Sequence, residues 1–452
     1  MKKNQVAKQQ HMFTSQDLKK LLIPLMIEQL LTSLMGTIDT IMVSNIGSAA
    51  ISAVSLVDSI NILVIQAFSA LAAGGAIVCS QYIGHKDLKA AKNAANQLIF
   101  IITSLSVGIT AICLLFKMPL LRLVFGKVEA SVMEASGIYF FYTALSFPFI
   151  AVYNAGASVF RAQKNSRLPM TVSVISNGFN IAGNALLIWV IHLGVAGAAI
   201  ATLSSRVFCA VVMIGMLKRP NEKMRVESFR KIRPDGRLIK KILAVGIPSG
   251  IENGMFQFGK LAIQSTVSTL GTTAIAAQAM ANIMENLNGM ASVGVGIGMM
   301  TVVGQCIGAG RKDEAIYFVK KLCLIGEVVL IISCLTVWIM VKPVTILGGM
   351  EAESARMCIR IVTAITIVKP LIWVGAFMPA YGMRAAGDAE YSMLISACTM
   401  WVFRVSLSMF LCRGLGLGLA GVWIGMFADW MVRGTLYGIR FHSRKWMKHR
   451  VI

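Results

Sequence analysis

Several carboxylate side chains lie inside long apolar stretches of this sequence, where they could carry ion chemistry. Asp39 is one, and Glu28 precedes it by eleven residues, about three helical turns. An ionisable group inside a bilayer is energetically costly, so each is a candidate functional residue. A carboxyl group held away from bulk water can load and release a proton near neutral pH. Glu28 and Asp39 would share one helix face, which predicts ion coupling for both; the alternative for Glu28 is a structural role shared with Glu252.

Two further apolar stretches contain polar residues that offer contacts for a cationic substrate. Asp58 and Asn61 share one stretch, and Asn282 and Glu285 share another. Glu285 lies deeper in its stretch and is the better candidate for binding a cation. Met284 adds a soft, flexible side chain that suits substrates of varied shape. The alternative role of the amides is hydrogen bonding between helices.

The composition requires a membrane as the solvent for most of the chain. Of 452 residues, 56% are hydrophobic and 14% are charged, whereas soluble domains average about 25% charged residues. About 20 apolar residues span the hydrocarbon core as a helix. We therefore predict an all-α integral membrane protein whose twelve transmembrane helices cover 18–44, 51–79, 93–116, 133–160, 167–190, 195–217, 240–268, 272–303, 318–341, 355–383, 390–412 and 417–438.

The charge distribution predicts the orientation of these helices. The net charge is +23, and most Lys and Arg residues lie in the termini and in every second loop. Short loops rich in Lys and Arg face the cytoplasm, so both termini are expected there. Because the basic segments separate apolar stretches, no nucleic-acid partner is expected. The sequence has no CxxC pair, no HExxH and no phosphate-binding loop, so we expect no enzyme, no catalytic or metal site and no cofactor.

The sequence repeats after 224 residues, the separation of Pro24 and Pro248. Each half then carries one acid and one amide at exchanged positions. The shift pairs Glu28 with Glu252, Asp58 with Asn282, Asn61 with Glu285, and Gln81 with Gln305.

A repeat of six spans enters and leaves the membrane on the same side, so an axis along the membrane normal relates the halves. Such pairs place a substrate cavity between two lobes and work by alternating access. The predicted organisation is an N-terminal six-helix lobe (1–217), a basic cytoplasmic linker (218–239) and a C-terminal six-helix lobe (240–452).

Three sets of motifs resemble multidrug and toxic compound extrusion (MATE) transporters. They are IPLMIEQLLTSLMGTIDTIMVSNIG, QYIGHKDLKAAKN with its partner GQCIGAGRKDEA, and FRAQKNSRLPM with its partner MRAAGDAEYSML. The similarity covers nearly the whole chain, twice over. It implies a V-shaped fold of twelve helices and cation-coupled export of drugs and dyes. The same superfamily contains flippases for lipid-linked oligosaccharides, which are the competing function.

The resemblance also implies roles for residues of the N-terminal lobe. It makes Asp39 the proton site and places Asn180 beside it. Many relatives with this arrangement carry an acid where this chain has Asn184. That departure removes one carboxylate from the predicted ion-coupling set of Asp39, Glu28, Asn180 and Asn184.

For the C-terminal lobe, the resemblance implies that Trp373 stands at the position where the sodium-coupled branch of the MATE family has an acid. This difference favours protons over sodium as the coupling ion. Lys369 is expected to neutralise Glu252 or Glu285. Together with Asp58, Asn61, Asn282 and Met284, these three residues make up the predicted substrate-binding set.

The sequence as a whole predicts a secondary antiporter that exports small cationic or amphiphilic organic compounds in exchange for protons or sodium. Asp39, Asp58 and Glu285 outnumber the central arginines and favour cationic cargo, whereas Arg206 and Arg404 keep the anionic alternative open. The expected partners are small organic cations and membrane lipid. We expect a monomer in the inner (plasma) membrane.

Overall fold

The computed structural model describes residues 11–44, 46–126, 128–219, 224–226, 232–449 and 451–452, and every regular element within them is helical. The α-helices are α1 (Ser15–Ser44), α2 (Ser48–Gly84), α3 (Leu88–Leu115), α4 (Lys117–Phe125), α5 (Ala130–Leu145), α6 (Phe147–Ala162), α7 (Arg167–Asn184), α8 (Gly194–Leu217), α9 (Gly236–Val267), α10 (Thr272–Gly308), α11 (Lys312–Leu347), α12 (Ala352–Ala385), α13 (Ala389–Thr399) and α14 (Gly418–His442). Helix α7 continues as a π-helix over Ala185–Val190. Helix α13 continues as π-helical Met400–Leu407 and Phe410–Gly414.

Among the described residues, nine helices are long and apolar enough to cross a membrane. A tenth span results when α5 and α6, which are bent by 41° relative to each other, count as one. Helices α9 and α14 are also long but more polar, since they carry Glu252 and the pair Asp429 and Arg433. With these two, the helices correspond to the twelve predicted spans, and the all-α membrane fold is confirmed.

The bend between α5 and α6 falls within the predicted span 133–160. Pro148 stands in the first turn of α6. Proline has no N–H to donate to the preceding turn, and its ring disfavours helical backbone at the residue before it. One apolar span is therefore built from two helices.

Helix α9 begins at Gly236, four residues before the predicted boundary at 240. The side chain of Asp235 caps it, accepting hydrogen bonds from the backbone N–H of Arg237 and Leu238 at 3.0 and 3.3 Å. Much of the predicted linker 218–239 lies outside the described residues.

Two hydrophobic cores follow the two halves of the sequence, except at the first helix of each half and at Ile77 of α2. Leu21, Leu22 and Leu25, in the first half of α1, pack into the core formed mainly by α10, α11, α12 and α14. Ile242, in the first turns of α9, packs into the core formed mainly by α2, α3, α5, α6 and α8. The first helix of each half is therefore shared between the lobes.

Glycines allow the close helix approaches that this exchange needs. A Cβ atom on Gly294 of α10 would lie 2.8 Å from the Cα atom of Met26 in α1. A Cβ atom on Gly74 of α2 would lie 2.7 Å from the carbonyl oxygen of Ile242 in α9. Neither contact leaves room for a larger side chain.

The C-terminal ends of α2 and α10 meet backbone to backbone, and we call this contact the α2–α10 junction. A Cβ atom on Gly84 would lie 2.1 Å from the carbonyl oxygen of Gln305, and one on Gly308 would lie 2.0 Å from that of Gln81. The two lobes are therefore in direct contact at this end, which the charge distribution predicts to be cytoplasmic.

Two glutamine side chains reinforce the junction in equivalent ways. Gln81 donates to the carbonyl oxygen of Ala385 at 2.7 Å, and Gln305 donates to that of Ala162 at 2.8 Å. Both glutamines are buried, and each reaches from its own half of the chain into the other. The repeat predicted from the sequence is thus also present in the hydrogen bonds between the lobes.

Candidate functional site

Asp39 of α1 is held by amide side chains of α7. Asn184 donates from Nδ2 to Oδ1 of Asp39 at 2.9 Å and to Oδ1 of Asn180 at 3.2 Å. Asn180 donates in turn to Oγ1 of Thr202 at 3.4 Å. Asn184 therefore stands between Asp39 and Asn180, which the resemblance had placed side by side. Within the described ranges, no basic nitrogen lies within 4 Å of the Asp39 carboxylate.

Asp58 of α2 lies near this carboxylate. Its Oδ1 accepts hydrogen bonds from Nδ2 of Asn61 at 3.1 Å and from the hydroxyl of Tyr139 at 3.4 Å. Asp58 and Arg206 are both within electrostatic reach of Asp39. Asp39, Asp58 and Arg206 form what we call the acidic centre, with a net charge of −1 when both carboxyl groups are ionised.

Glu28 belongs to a different cluster. It is 3% exposed, and its Oε1 accepts from Nη2 of Arg161 at 2.7 Å and from the hydroxyl of Tyr153 at 3.1 Å. Eleven residues of helix separate Glu28 from Asp39 by about 16 Å. The contacts favour the structural alternative for Glu28 over a shared proton relay with Asp39.

Glu252, the repeat partner of Glu28, is bound in an equivalent way. Its Oε1 accepts from Nη2 of Arg384 at 3.4 Å and from Oγ of Ser396 at 2.7 Å, and its Oε2 accepts from Oγ of Ser392 at 3.2 Å. Arg161 and Arg384 occupy corresponding positions in the two halves of the repeat, so the two ion pairs are equivalent. Sequence reasoning did not select either arginine, although their matched placement was the available signal.

A cavity of about 300 Å³ lies between α2, α9, α10 and the π-helical Met400–Leu407. Asn282 and Glu285 of the predicted substrate-binding set line it, together with Lys260 and Arg404. The other members lie elsewhere. Asn61 is 2% exposed and bound to Asp58, and Met284 is 5% exposed within the C-terminal core.

The contacts of Lys369 show which acid it neutralises, Glu252 or Glu285. Its Nζ donates to Oε1 of Glu285 at 2.5 Å and to the Glu285 carbonyl oxygen at 2.9 Å, and also to Oδ1 of Asn288. Lys369 is fully buried. Glu285 is therefore neutralised by Lys369, whereas Glu252 forms an ion pair with Arg384.

Breaking this pair should destabilise the C-terminal lobe. We expect Lys369→Met to lower the free energy of unfolding by about 3–5 kcal/mol, because Glu285 would be left as a buried charge without its partner. The double variant Lys369→Met with Glu285→Gln should recover most of the loss. Melting in detergent checks this, with Lys320→Met on the exposed face of α11 as the control. A single variant that melts like wild type would contradict the pairing.

Comparisons with known proteins agree with this architecture. A family model described as MatE matches residues 24–186 and again residues 248–410, and the two matches are offset by the same 224 residues as the predicted repeat. The chain is 25% identical over 459 residues to a "Probable multidrug resistance protein NorM" of Thermotoga maritima, covering 100% of this chain and 97% of that one. It is 26% identical to an "Uncharacterized transporter YisQ" of Bacillus subtilis, covering 94% of this chain and 93% of that one.

A solved structure of an outward-facing "multidrug resistance MATE family transporter of the MOP superfamily" superposes with a TM-score of 0.90 at 22% identity, covering 96% of each chain. Together with the helical repeat, these matches define a multi-pass membrane transporter. The chain belongs to the MatE family of multidrug efflux transporters, which confirms the resemblance in the sequence.

Proposed function

We propose that this protein is a secondary active antiporter that exports small cationic or amphiphilic organic compounds in exchange for protons, with sodium as the alternative coupling ion. The observation that carries the proposal is Asp39, a carboxylate within an apolar helix whose direct partner is the neutral amide of Asn184. A carboxylate in this setting can change its charge without breaking an ion pair, as a site for a transported cation requires.

The acidic centre supports cation binding by a second route. Asp39 and Asp58 together outweigh the single positive charge of Arg206, so the centre attracts one positive charge on balance. The Tyr139 hydroxyl and the Asn61 amide hold Asp58 in place. On this proposal a proton and a cationic drug compete for the acidic centre, and the competition couples the import of one to the export of the other.

The proposal has further parts. The protein acts as a monomer in the inner (plasma) membrane, with both termini in the cytoplasm. Its partners are small organic cations and membrane lipid, and it needs no cofactor. The two lobes rock about the cavity to alternate access.

A second candidate function, a flippase for lipid-linked or other anionic cargo, is favoured by one observation. The cavity carries the two cations Lys260 and Arg404, while its one acid, Glu285, is already paired. Glu285 therefore no longer favours cationic cargo, because Lys369 neutralises it.

Uptake of ethidium into inside-out vesicles tests the proposal. A pH gradient, acid inside, should drive accumulation, and a collapse of the gradient with an ionophore should release the dye. A sodium gradient at constant pH is the control for the coupling ion. Folded protein that accumulates no ethidium under either gradient would contradict cation export and favour the second candidate.

A further inference from the structure

We infer that the part of the cavity formed by α9, α10 and Met400–Leu407 binds the anionic group of an amphiphilic organic molecule, a carboxylate, sulfonate or phosphate. The inference rests on the proposed function in one respect, namely that the bound molecule is transported. It assigns the two lobes opposite tasks, with a positive charge bound by the acidic centre and a negative charge bound by Lys260 and Arg404.

Lys260 and Arg404 are gathered around a single aromatic ring. The Lys260 Nζ and the Arg404 Cζ each lie 5.0 Å from the centre of the Phe256 ring. Cations at this distance are attracted to the face of the ring. Phe256 thereby holds two like charges close together at the wall of one cavity, although they repel each other.

Neither cation has an acidic partner in the described part of the chain. No carboxylate oxygen of those residues lies within 4 Å of either side chain. The acid that lines the cavity, Glu285, accepts two hydrogen bonds from the fully buried Lys369. Asp429, whose charge also acts on Arg404, is paired with Arg433. When all four groups are charged, Lys260, Arg404, Lys369 and Glu285 leave a net charge of +2 within the membrane, where uncompensated charge is costly.

Arg404 provides a second, independent sign of a missing ligand. It is 8% exposed, and its Nε–H has no hydrogen-bond partner among the described residues. A buried donor without a partner is destabilising, and more so when it is charged. Arg404 also lies in a π-helical segment, a rare geometry that is frequent at functional sites. A bound anion would satisfy the guanidinium and offset the repulsion from Lys260.

The remaining wall of the cavity suits an amphiphile rather than a free inorganic ion. Ile62 and Leu63 of α2 and Leu261 of α9 form an apolar side, and Gln264 and Asn282 add amide groups that can orient a ligand. A few polar groups set in an apolar wall are typical of sites for organic molecules. The volume of about 300 Å³ is at the lower end for such sites.

Rhodamine B and its ethyl ester test the inference, because both carry the same cationic ring system and only rhodamine B has a free carboxylate. Fluorescence polarisation with purified protein in a neutral detergent, at pH 8 and with empty micelles as the blank, gives the two dissociation constants. We expect rhodamine B to bind at least about tenfold more tightly, as charge-assisted hydrogen bonds to a guanidinium predict. The double variant Lys260→Gln with Arg404→Gln should bind the two dyes equally.

Lys320→Gln, which removes a cation from the exposed surface of α11, should keep the wild-type preference. Benzenesulfonate should displace rhodamine B from the wild-type protein and leave the ester bound, a result that needs no variant to fold. Equal affinities for the two dyes in wild type, or a preference that persists in the double variant, would overturn the inference.

Two further comparisons identify the source of the anionic group and separate this inference from the proposed function. If phosphatidylglycerol competes with rhodamine B, the natural anionic group is a lipid headgroup; if it does not, the anion belongs to a soluble compound. Binding is measured without a gradient, so its outcome is independent of transport. Ethidium export without a carboxylate preference would overturn this inference alone, whereas a carboxylate preference without any export would overturn the proposed function alone.

Discussion

Asp39→Asn should reduce ethidium uptake driven by a pH gradient to the level of vesicles that lack the protein. Asparagine has nearly the size of aspartate, and its side-chain oxygen can still accept the hydrogen bond that Asn184 donates at 2.9 Å. The variant should therefore keep its fold and its packing against α7. It loses only a charge and a site for a proton, which is the change that discriminates a coupling residue from a packing residue.

The measurement compares initial uptake rates and melting temperatures of the same preparations. Asp313→Asn is the control, since it removes a carboxylate whose side chain is 93% exposed and should transport like wild type. If Asp39→Asn accumulates ethidium at the wild-type rate, Asp39 does not couple transport to the gradient. If it fails to fold, Asp39 has a structural role, and the proposal loses the observation that carries it.

Gly84→Ala and Gly308→Ala should each open the α2–α10 junction. The added methyl group would meet a backbone carbonyl oxygen at about 2 Å, and backbone atoms cannot rotate out of its way. Such overpacking costs about 1–3 kcal/mol. The cost applies only to the state in which the two ends touch, and each 1.4 kcal/mol changes the ratio of the two states by about tenfold.

Labelling of one thiol reports this shift. Ser80 is fully buried at the junction, so Ser80→Cys in a background without the nine native cysteines should react slowly with a membrane-impermeant maleimide in inside-out vesicles. Either alanine variant should raise the labelling rate by about tenfold, following the change in population. Gly254→Ala, where the new methyl group meets no heavy atom within 4 Å, should leave the rate unchanged. Equal rates in all four proteins would show that the junction does not hold this end closed.

Local patterns were sufficient to predict the helices and their repetition. The long apolar stretches and the 224-residue shift need only composition and spacing. The helices of the structure confirm the first, and the family matches at 24–186 and 248–410 reproduce the second. Local signals were weaker where proline divides a span, as between α5 and α6. They were also weak at the start of α9, where the Asp235 cap rather than hydropathy determines the first residue.

The pairing of charges could not be predicted in the same way. Arg161 lies 133 residues from Glu28, and Lys369 lies 84 residues from Glu285. No local pattern specifies which of several buried charges meet across such separations. A count of acids against arginines inside a membrane treats each charge as unpaired, and it assigns Glu285 an attraction for cations that Lys369 cancels.

The exchange of first helices between the lobes also limits the order in which the helices can pack during synthesis. Leu21, Leu22 and Leu25 of α1 find their packing partners in helices that the ribosome produces more than two hundred residues later. Helix α1 is thus synthesised well before the helices that bury its apolar face. During synthesis its apolar face must rest against lipid or an insertion factor until α10 arrives, and a chain interrupted after its first half would leave that face uncovered.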